Sequence, residues 1–575
     1  MSPLDFRNPN SLWSSVLVET LVRCGLRTAV VSPGSRSTPL TMALAAHPAV
    51  DAVPVLDERC AGFFALGQAR AQHRPVVLVC TSGSAAAHYL PAVIEAHESG
   101  VPLIVLSADR PPEMRDCASG QTIDQHKLFG RYATWYHELA VPEPRLELLR
   151  YLRQTLRQAW TRASAGGVVQ LNAPFRDPLP PLPDDGATAA LAESIDDTFW
   201  AQPEAPALRP AGLVLHQRGT PSRGVIVAGP AQPADQAAYV EAIANIARQT
   251  GWPILADALS PLRHYAPDDV CVVSAYHGIL RNERLARELT PRMVIAFEAW
   301  PTSKELRAWL EQSQAEMLML SERAGSHDAM HGKTREIQAP ATALVIDGRP
   351  PVDPSWAAAW REAEERMRAA FDGWFGETRD TLFEGEVTWR VAQALPDGAQ
   401  MCVANSMPVR DLEYFWPASA RGRRVFFSRG ANGIDGTLST ALGVAHGVTA
   451  PTVLLTGDLA FLHDSNGLQI AHELKGSLTV IVINNDGGGI FGHLPVAQFE
   501  PPFERYFSTP PQLDLAALCA GHRVAHRLIA DGAELSAALS ALPAAGMQVL
   551  EVRTDRRADV ATRKRLFREL PRQLD

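Results

Sequence analysis

Residues 457–491 read GDLAFLHDSNGLQIAHELKGSLTVIVINNDGGGIF, two strand ends joined by one crossover. The apolar run Thr452–Thr456 in front of this stretch has the length and content of a buried parallel strand. It stops at Gly457-Asp458, which puts a carboxylate at the carboxyl edge of a sheet, where open α/β sheets bind ligands. A helix-length segment follows, and a second apolar run, Leu478–Ile483, ends at Asn484-Asn485. A neighbouring strand thereby delivers the amide oxygen of Asn485 beside Asp458, and Gly487 adds a backbone carbonyl. One carboxylate and two neutral oxygens leave octahedral positions open for water and phosphate oxygens, as Mg²⁺ prefers. The stretch predicts a βαβ unit with a metal and diphosphate clamp made by Asp458, Asn485 and Gly487.

The same rhythm runs outward through the chain. From Leu12 to about Arg176 the runs TAVVSPGS, PVVLVCTSG, VPLIVLSADR and GGVVQLNAP alternate with helical stretches, which argues a parallel sheet covered by helices on both faces. Pro178, Pro180, Pro181 and Pro183, then an Ala- and Pro-rich run to Pro221, mark a linker, because proline stiffens the chain and removes ladder donors. A second unit continues through RGVIVAGP, WPILAD, MVIAFEAW, EMLMLSE and ATALVIDG. It lacks the GxGxxG fingerprint of a dinucleotide site. Charged residues and tryptophans from Asp353 to Arg379 predict a connecting helix, and a third unit runs through QMCVANS, RRVFFSRG, PTVLLTGD, LTVIVINN and MQVLEVRT. The expected fold is α/β, with three doubly wound parallel-sheet domains: residues 1–185, a linker over 186–222, a central domain over 223–352, and 353–575 with the connecting helix.

The chain has 575 residues, 46% of them hydrophobic and 20% charged, the balance of a globular protein with ample core. A formal net charge of −9 gives no bulk attraction to nucleic acid or an anionic membrane, so any anion site must be a local cluster of arginine and lysine. The basic run Arg553–Arg572 reads as a solvated helical face. Seven cysteines lie scattered without CxxC spacing, and the opening MSPLDFRNPN has no basic stretch followed by an apolar core. These features predict a reduced, cytoplasmic protein without a membrane span.

The aspartate, the crossover and the Asn-Asn pair resemble the cofactor motif of thiamine-diphosphate (ThDP) decarboxylases and synthases, with Leu459 where the usual motif has glycine. The likeness covers nearly the whole chain. In that family a pyrimidine-binding, a central and a diphosphate-binding domain follow in sequence. Seven strings in order, SPGSRSTPL, DER, TSGSAAA, ADRPPE, NSMPVR, SRGANGIDG and INNDGGGIF, are similar to the menaquinone-pathway branch. Its members decarboxylate 2-oxoglutarate and add the resulting four-carbon unit to isochorismate.

The resemblance implies roles for particular residues. Glu58 is the catalytic carboxyl that hydrogen-bonds N1′ of the aminopyrimidine, and Ile434, beside Gly433, wedges between the two cofactor rings. Thr81, Ser84, Ser406 and Ile490 complete the ThDP contacts, and Asp458, Asn485 and Gly487 hold Mg²⁺ or Mn²⁺. The substrates carry several carboxylates, and arginine grips carboxylate with two parallel hydrogen bonds. Arg36, Arg110, Arg410 and Arg429, with Ser35, Gln121 and Lys304, are the expected substrate contacts, and Phe491 and Leu494 the apolar wall that keeps water out. Glu305 stands where some relatives carry a second cation. A site shared between two copies is implied, hence a homodimer or a homotetramer. Two other readings stay open: another ThDP enzyme, such as a plain 2-oxoacid decarboxylase or an acetolactate-synthase-like carboligase, and an idle ThDP-binding subunit.

Overall fold

The computed structural model describes residues 4–201, 213–216, 221–323, 325–332, 334–348, 351–376 and 382–575. They fall into two compact units. The first takes Met1–Pro206, Ser428–Val448 and Leu462–Ser477, and the second takes Ala207–Phe427, Thr449–Phe461 and Leu478–Asp575.

In the first unit β1 (Thr28–Val31), β2 (Asp51–Pro54), β3 (Val76–Cys80), β4 (Leu103–Asp109), β5 (Trp135–Glu138) and β6 (Val168–Pro174) form one parallel sheet in the order β2-β1-β3-β4-β6-β5. Every residue of β3, β4 and β6 is buried, because helices cover both faces and leave no side for polar residues. On one face Leu12, Val16 and Leu17 of helix Pro9–Cys24 pack with Leu149, Leu152 and Leu156 of helix Leu146–Ser164 against Val77, Ile104 and Val169. On the other, helix Glu58–Gln72 is buried along nearly its whole length because helix Thr437–Ala445 crosses it with the two backbones in contact. A Cβ on Gly67 would lie 2.1 Å from the Thr440 carbonyl oxygen, and one on Gly443 2.1 Å from that of Phe64. Gln68 closes the crossing by donating to the carbonyls of Gly443 (2.5 Å) and His446 (2.8 Å).

The second unit holds two further six-stranded parallel sheets. The strands β8 (Gly224–Ala228), β9 (Ile254–Ala256), β10 (Val272–Val273), β11 (Met293–Phe297), β12 (Glu316–Ser321) and β13 (Thr334–Gln338) are ordered β10-β9-β8-β11-β12-β13. The strands β15 (Gln400–Val403), β16 (Arg424–Phe427), β17 (Thr452–Gly457), β18 (Ser477–Asn484), β19 (Ala525–Ile529) and β20 (Gly546–Arg553) are ordered β16-β15-β17-β18-β20-β19. In this last sheet the chain leaves β15 for β16 on one side while β17 lies on the other. The crevice between β15 and β17 is therefore a topological switch point, the usual place for a ligand.

Several expectations change. The strand predicted in ATALVIDG forms as β14 (Leu344–Asp347), but pairs with β7 (Leu213–His216) in a separate two-stranded sheet. β7 lies in the stretch read as linker. Within that stretch helix Asp197–Trp200 also buries Phe199 in the first core, while 202–212 and 217–220 lie outside the described residues. The connecting helix is Pro354–Gly376, with Trp356, Trp360, Met367 and Phe371 buried along one stripe; residues 377–379 of the predicted span are outside the described ones. The crossover after Asp458 is two pieces, helix Asp458–His463 and the tighter turn Ser465–His472. It breaks at Asp464, whose carboxylate accepts from the Ser439 N–H (2.6 Å) and hydroxyl (2.9 Å). The basic run forms helix Arg556–Glu569, and its face is not wholly solvated, since Asp559, Arg563 and Leu566 are buried. None of the seven cysteines is joined in a disulfide among the described residues. Among the described residues no helix is long and apolar enough to cross a membrane.

Candidate active site

The edge of the third sheet places its carboxylate with care. Asp458 follows β17 and is buried. Its two oxygens accept from the N–H groups of Leu459 and Gly487, each at 2.8 Å, and burial pushes its pKa up to about 6 against those donors. Gly487 has φ +135, and a Cβ there would lie 2.3 Å from the Ser508 carbonyl oxygen, so the turn admits glycine only. Arg556 holds the same turn from outside, donating to the Asp486 carbonyl at 2.8 Å.

Asn485 is buried, and its Nδ2 donates to Glu384 Oε1 at 2.6 Å. Its Oδ1, equally buried, has no hydrogen-bond partner among the described residues. An orphaned buried oxygen is rare and calls for an occupant. A carboxylate, this amide oxygen and the second lone pair of the Gly487 carbonyl make an all-oxygen set that fits a hard divalent cation.

Behind the edge lies a network that the motifs did not reveal. The Glu384 N–H donates to Asp559 Oδ1 at 3.1 Å, Arg563 Nη2 donates to Asp559 Oδ2 at 3.1 Å, and Arg563 Nη1 bonds Asp411. All four side chains are buried. Burial, with the charges of Asp559 and Asp411 added, holds Glu384 well above the usual carboxylate range. These residues are distant in sequence and belong to no motif string.

The neighbouring edge carries cations. Ser406, after β15, has φ +71 and ψ −129 at the start of helix Met407–Phe415, a conformation that costs a non-glycine residue and clusters at functional sites. The Ser406 carbonyl accepts from Arg410 Nη1 at 2.5 Å. Burial lowers the pKa of Arg410, and the charge of Arg307 lowers it further. His493 is pushed down to about 4 by burial and by the charges of Arg563, Lys564 and Arg410, so it is neutral near pH 7 in a positive field. Lys304 opens helix Lys304–Ser313 and is exposed. Glu305 turns to an ion pair with Arg281, and Arg307, one turn along, is the residue whose charge reaches Arg410. Ile490 and Phe491 are half-buried, Phe491 meeting Phe507 edge-on at 5.8 Å. Leu494 is 40% exposed, so in this chain it forms only the rim of the expected wall.

In the first unit the remaining candidates gather on the loops that follow β1 to β4. Gly34 sits so close to Thr81 that a Cβ would lie 2.2 Å from its side chain, which joins the SPGSRS and TSGS strings. Thr81 is buried, while Ser35 and Ser84 are exposed beside it. Arg110 bonds the Ser82 hydroxyl and the Gln121 carbonyl (2.8 Å), and burial followed by the charge of Arg36 lowers its pKa. Gln121 has φ +56 and donates to the Ser82 carbonyl at 3.0 Å. Arg36 is buried, donates to the Phe175 carbonyl at 2.9 Å and leaves its Nε without a partner among the described residues.

Glu58 is the first residue of helix Glu58–Gln72. The adjacent Arg59 pairs with the capping Asp57 at 2.7 Å. Burial raises Asp57, but the hydrogen bonds from Arg59 and Asn466 outweigh it and hold it at about 2. Glu58 itself has no hydrogen bond to its carboxylate and no ion pair among the described residues. Its charge reaches Cys80 and Tyr89, whose pKa values are raised mainly by burial. The SRGANGIDG loop docks in the same unit: Glu95, paired with Arg70 at 2.6 Å, accepts from the N–H groups of Gly430 (3.1 Å) and Ala431 (2.7 Å). Gly436, φ +63, lies so near Phe63 that a Cβ would sit 1.9 Å from its ring. Arg429, Gly433 and Ile434 are half-buried on this loop.

Three family descriptions match in order: the N-terminal TPP binding domain of thiamine pyrophosphate enzymes over residues 13–128, the middle domain over 211–403 and the C-terminal TPP binding domain over 411–552. The fold and these matches define a thiamine-diphosphate-dependent enzyme. Among curated proteins, a 2-succinyl-5-enolpyruvyl-6-hydroxy-3-cyclohexene-1-carboxylate synthase of Synechococcus sp. (strain JA-3-3Ab) is 49% identical, covering 99% of this chain and 98% of that protein. Those of Synechococcus elongatus (47% identical; 99% and 97% covered) and Microcystis aeruginosa (46%; 96% and 98%) agree. The chain belongs to the family of these synthases.

Proposed function

We propose that the chain decarboxylates 2-oxoglutarate and adds the four-carbon unit to isochorismate, giving 2-succinyl-5-enolpyruvyl-6-hydroxy-3-cyclohexene-1-carboxylate and CO₂ in menaquinone biosynthesis. The observation that carries this reading is the buried Oδ1 of Asn485, without a partner among the described residues, beside Asp458, with half-buried Arg410 at the neighbouring strand end. Asp458, Asn485 and Gly487 hold Mg²⁺, or Mn²⁺ in its place, and through it the diphosphate. Bound ThDP supplies the carbanion chemistry. Glu58 hydrogen-bonds the aminopyrimidine, a task suited to a carboxyl that none of the described residues occupies. Ile434 and Gly433 shape the cofactor, with Thr81, Ser84, Ser406 and Ile490 as further contacts. Arg36, Arg110, Arg410 and Arg429, helped by Ser35, Gln121 and Lys304, bind substrate carboxylates, and Phe491 with Leu494 limits water access.

The working form in this proposal is at least a homodimer, or a homotetramer, in the cytoplasm. Its domains are residues 1–185, 223–352 and 353–575, joined by 186–222. The test is consumption of isochorismate that depends on both 2-oxoglutarate and ThDP, with the product identified by mass. Release of CO₂ from 2-oxoglutarate at full rate with isochorismate untouched would point to a plain decarboxylase instead.

A further inference from the structure

Resting on the reading of Asp458, Asn485 and Gly487 as the cation clamp, we propose that Glu384 is a positioning residue that decides which end of the Asn485 amide faces the cation. The two ends of an amide are nearly equal in shape and opposite in chemistry: the oxygen is a ligand, and the NH₂ presents hydrogens that repel a cation. Glu384 breaks that symmetry. Its Oε1 accepts from Asn485 Nδ2 at 2.6 Å, which leaves Oδ1 as the buried atom without a partner among the described residues. With Glu384 ionised, the opposite orientation sets two acceptor oxygens against each other inside the protein, at the full cost of a buried unmet contact.

Glu384 is itself fixed. It is the first residue of helix Glu384–Ala394, anchored through its N–H to Asp559, which is gripped by Arg563. The Arg563 guanidinium lies 4.9 Å over the Phe383 ring and 5.7 Å over that of Phe415. Gly489 leaves room for the contact, since a Cβ there would come within 2.6 Å of Asn485 Nδ2. Supporting groups of this kind orient a metal ligand without touching the metal, and their loss typically weakens metal affinity by about 10–100-fold.

The test reverses the polarity of the hydrogen bond in the full-length protein and reads Mn²⁺ binding in the presence of ThDP by electron paramagnetic resonance. Wild type must first show ThDP-dependent Mn²⁺ binding; its absence would sink the clamp and this proposal with it. Given that binding, Glu384→Leu is expected to weaken Mn²⁺ by about 10–100-fold, and Glu384→Gln, which keeps an accepting oxygen, to restore most of the loss. Asn485→Asp alone sets two carboxylates face to face and is expected to bind poorly. Adding Glu384→Gln to that variant supplies a donor and is expected to recover about tenfold or more, the coupling expected of residues in contact. A folded Glu384→Leu with wild-type affinity would overturn the proposal. So would a Glu384→Gln change with the same effect in the wild-type and Asn485→Asp backgrounds, and that comparison stands even if the leucine variant fails to fold.

Discussion

The edge of the first sheet and the edge of the third hold their key carboxylates in opposite ways. Asp458 is buried, fixed by two backbone N–H groups and backed by the Glu384–Asp559–Arg563 network through its neighbour Asn485. Glu58 opens a helix with its side chain uncommitted among the described residues, while Arg59 pairs with the capping Asp57. A group that must hold an ion in one place is immobilised in advance, whereas a group that must meet a heterocycle keeps its bonding capacity for it. On the proposed roles, the first edge serves activation and the third serves binding.

That contrast breaks most plainly at Asp458. Asp458→Ala is expected to abolish turnover together with ThDP-dependent Mn²⁺ binding, both checked on the same preparation; binding that survives would deny the third edge its role. Glu58→Gln should lower turnover by about 10²–10⁴ while calorimetry finds cofactor and cation binding near wild type. A parallel loss of binding would merge the two edges into one function. Arg410→Ala removes a charge-assisted contact of about 1.5–3 kcal/mol, so steady-state kinetics should show the KM of a carboxylate substrate rising by roughly 10–100-fold with the metal site intact.

The gentlest test separates burial from function. Asp464 shares the raised value of Asp458, about 6, yet all its contacts are internal: Ser439 and the Cys60 thiol. Between the ordinary 3.8 and about 6 the folded protein keeps a proton that the unfolded chain has released. Its stabilising contribution is full below about pH 4 and lost as pH rises through about 6, worth at most about 3 kcal/mol. Asp464→Asn should flatten the decline of unfolding free energy across that window in denaturant titrations. An unchanged slope would mean that Asp464 does not titrate there.

The third sheet was legible in sequence because its central strands are buried on both faces and read as unbroken apolar runs, with Asp458 and Asn485 placed by the ends of those runs. Three of the edge strands were not. Trp135–Glu138, Thr334–Gln338 and Ala525–Ile529 lie at sheet borders, half open to solvent, and their mixed composition carries no run to recognise. The break at Asp464 was hidden because it depends on Ser439, a partner outside the crossover. The same holds for Glu384, Asp411, Asp559 and Arg563: hydrophobic pattern reports burial, but nothing local reports which buried polar groups face each other across a chain. Arg307 belongs to no motif string, and its link to Arg410 depends on how helix Lys304–Ser313 packs rather than on local sequence.

The division of labour between the two edges is tested most directly by the exchange of the C2 proton of bound ThDP with solvent deuterium, followed by rapid quench and NMR. Wild type is expected to exchange this proton far faster than free cofactor, and Glu58→Gln, with ThDP and cation still bound, to exchange it slowly. Exchange as fast in Glu58→Gln as in wild type would contradict the account.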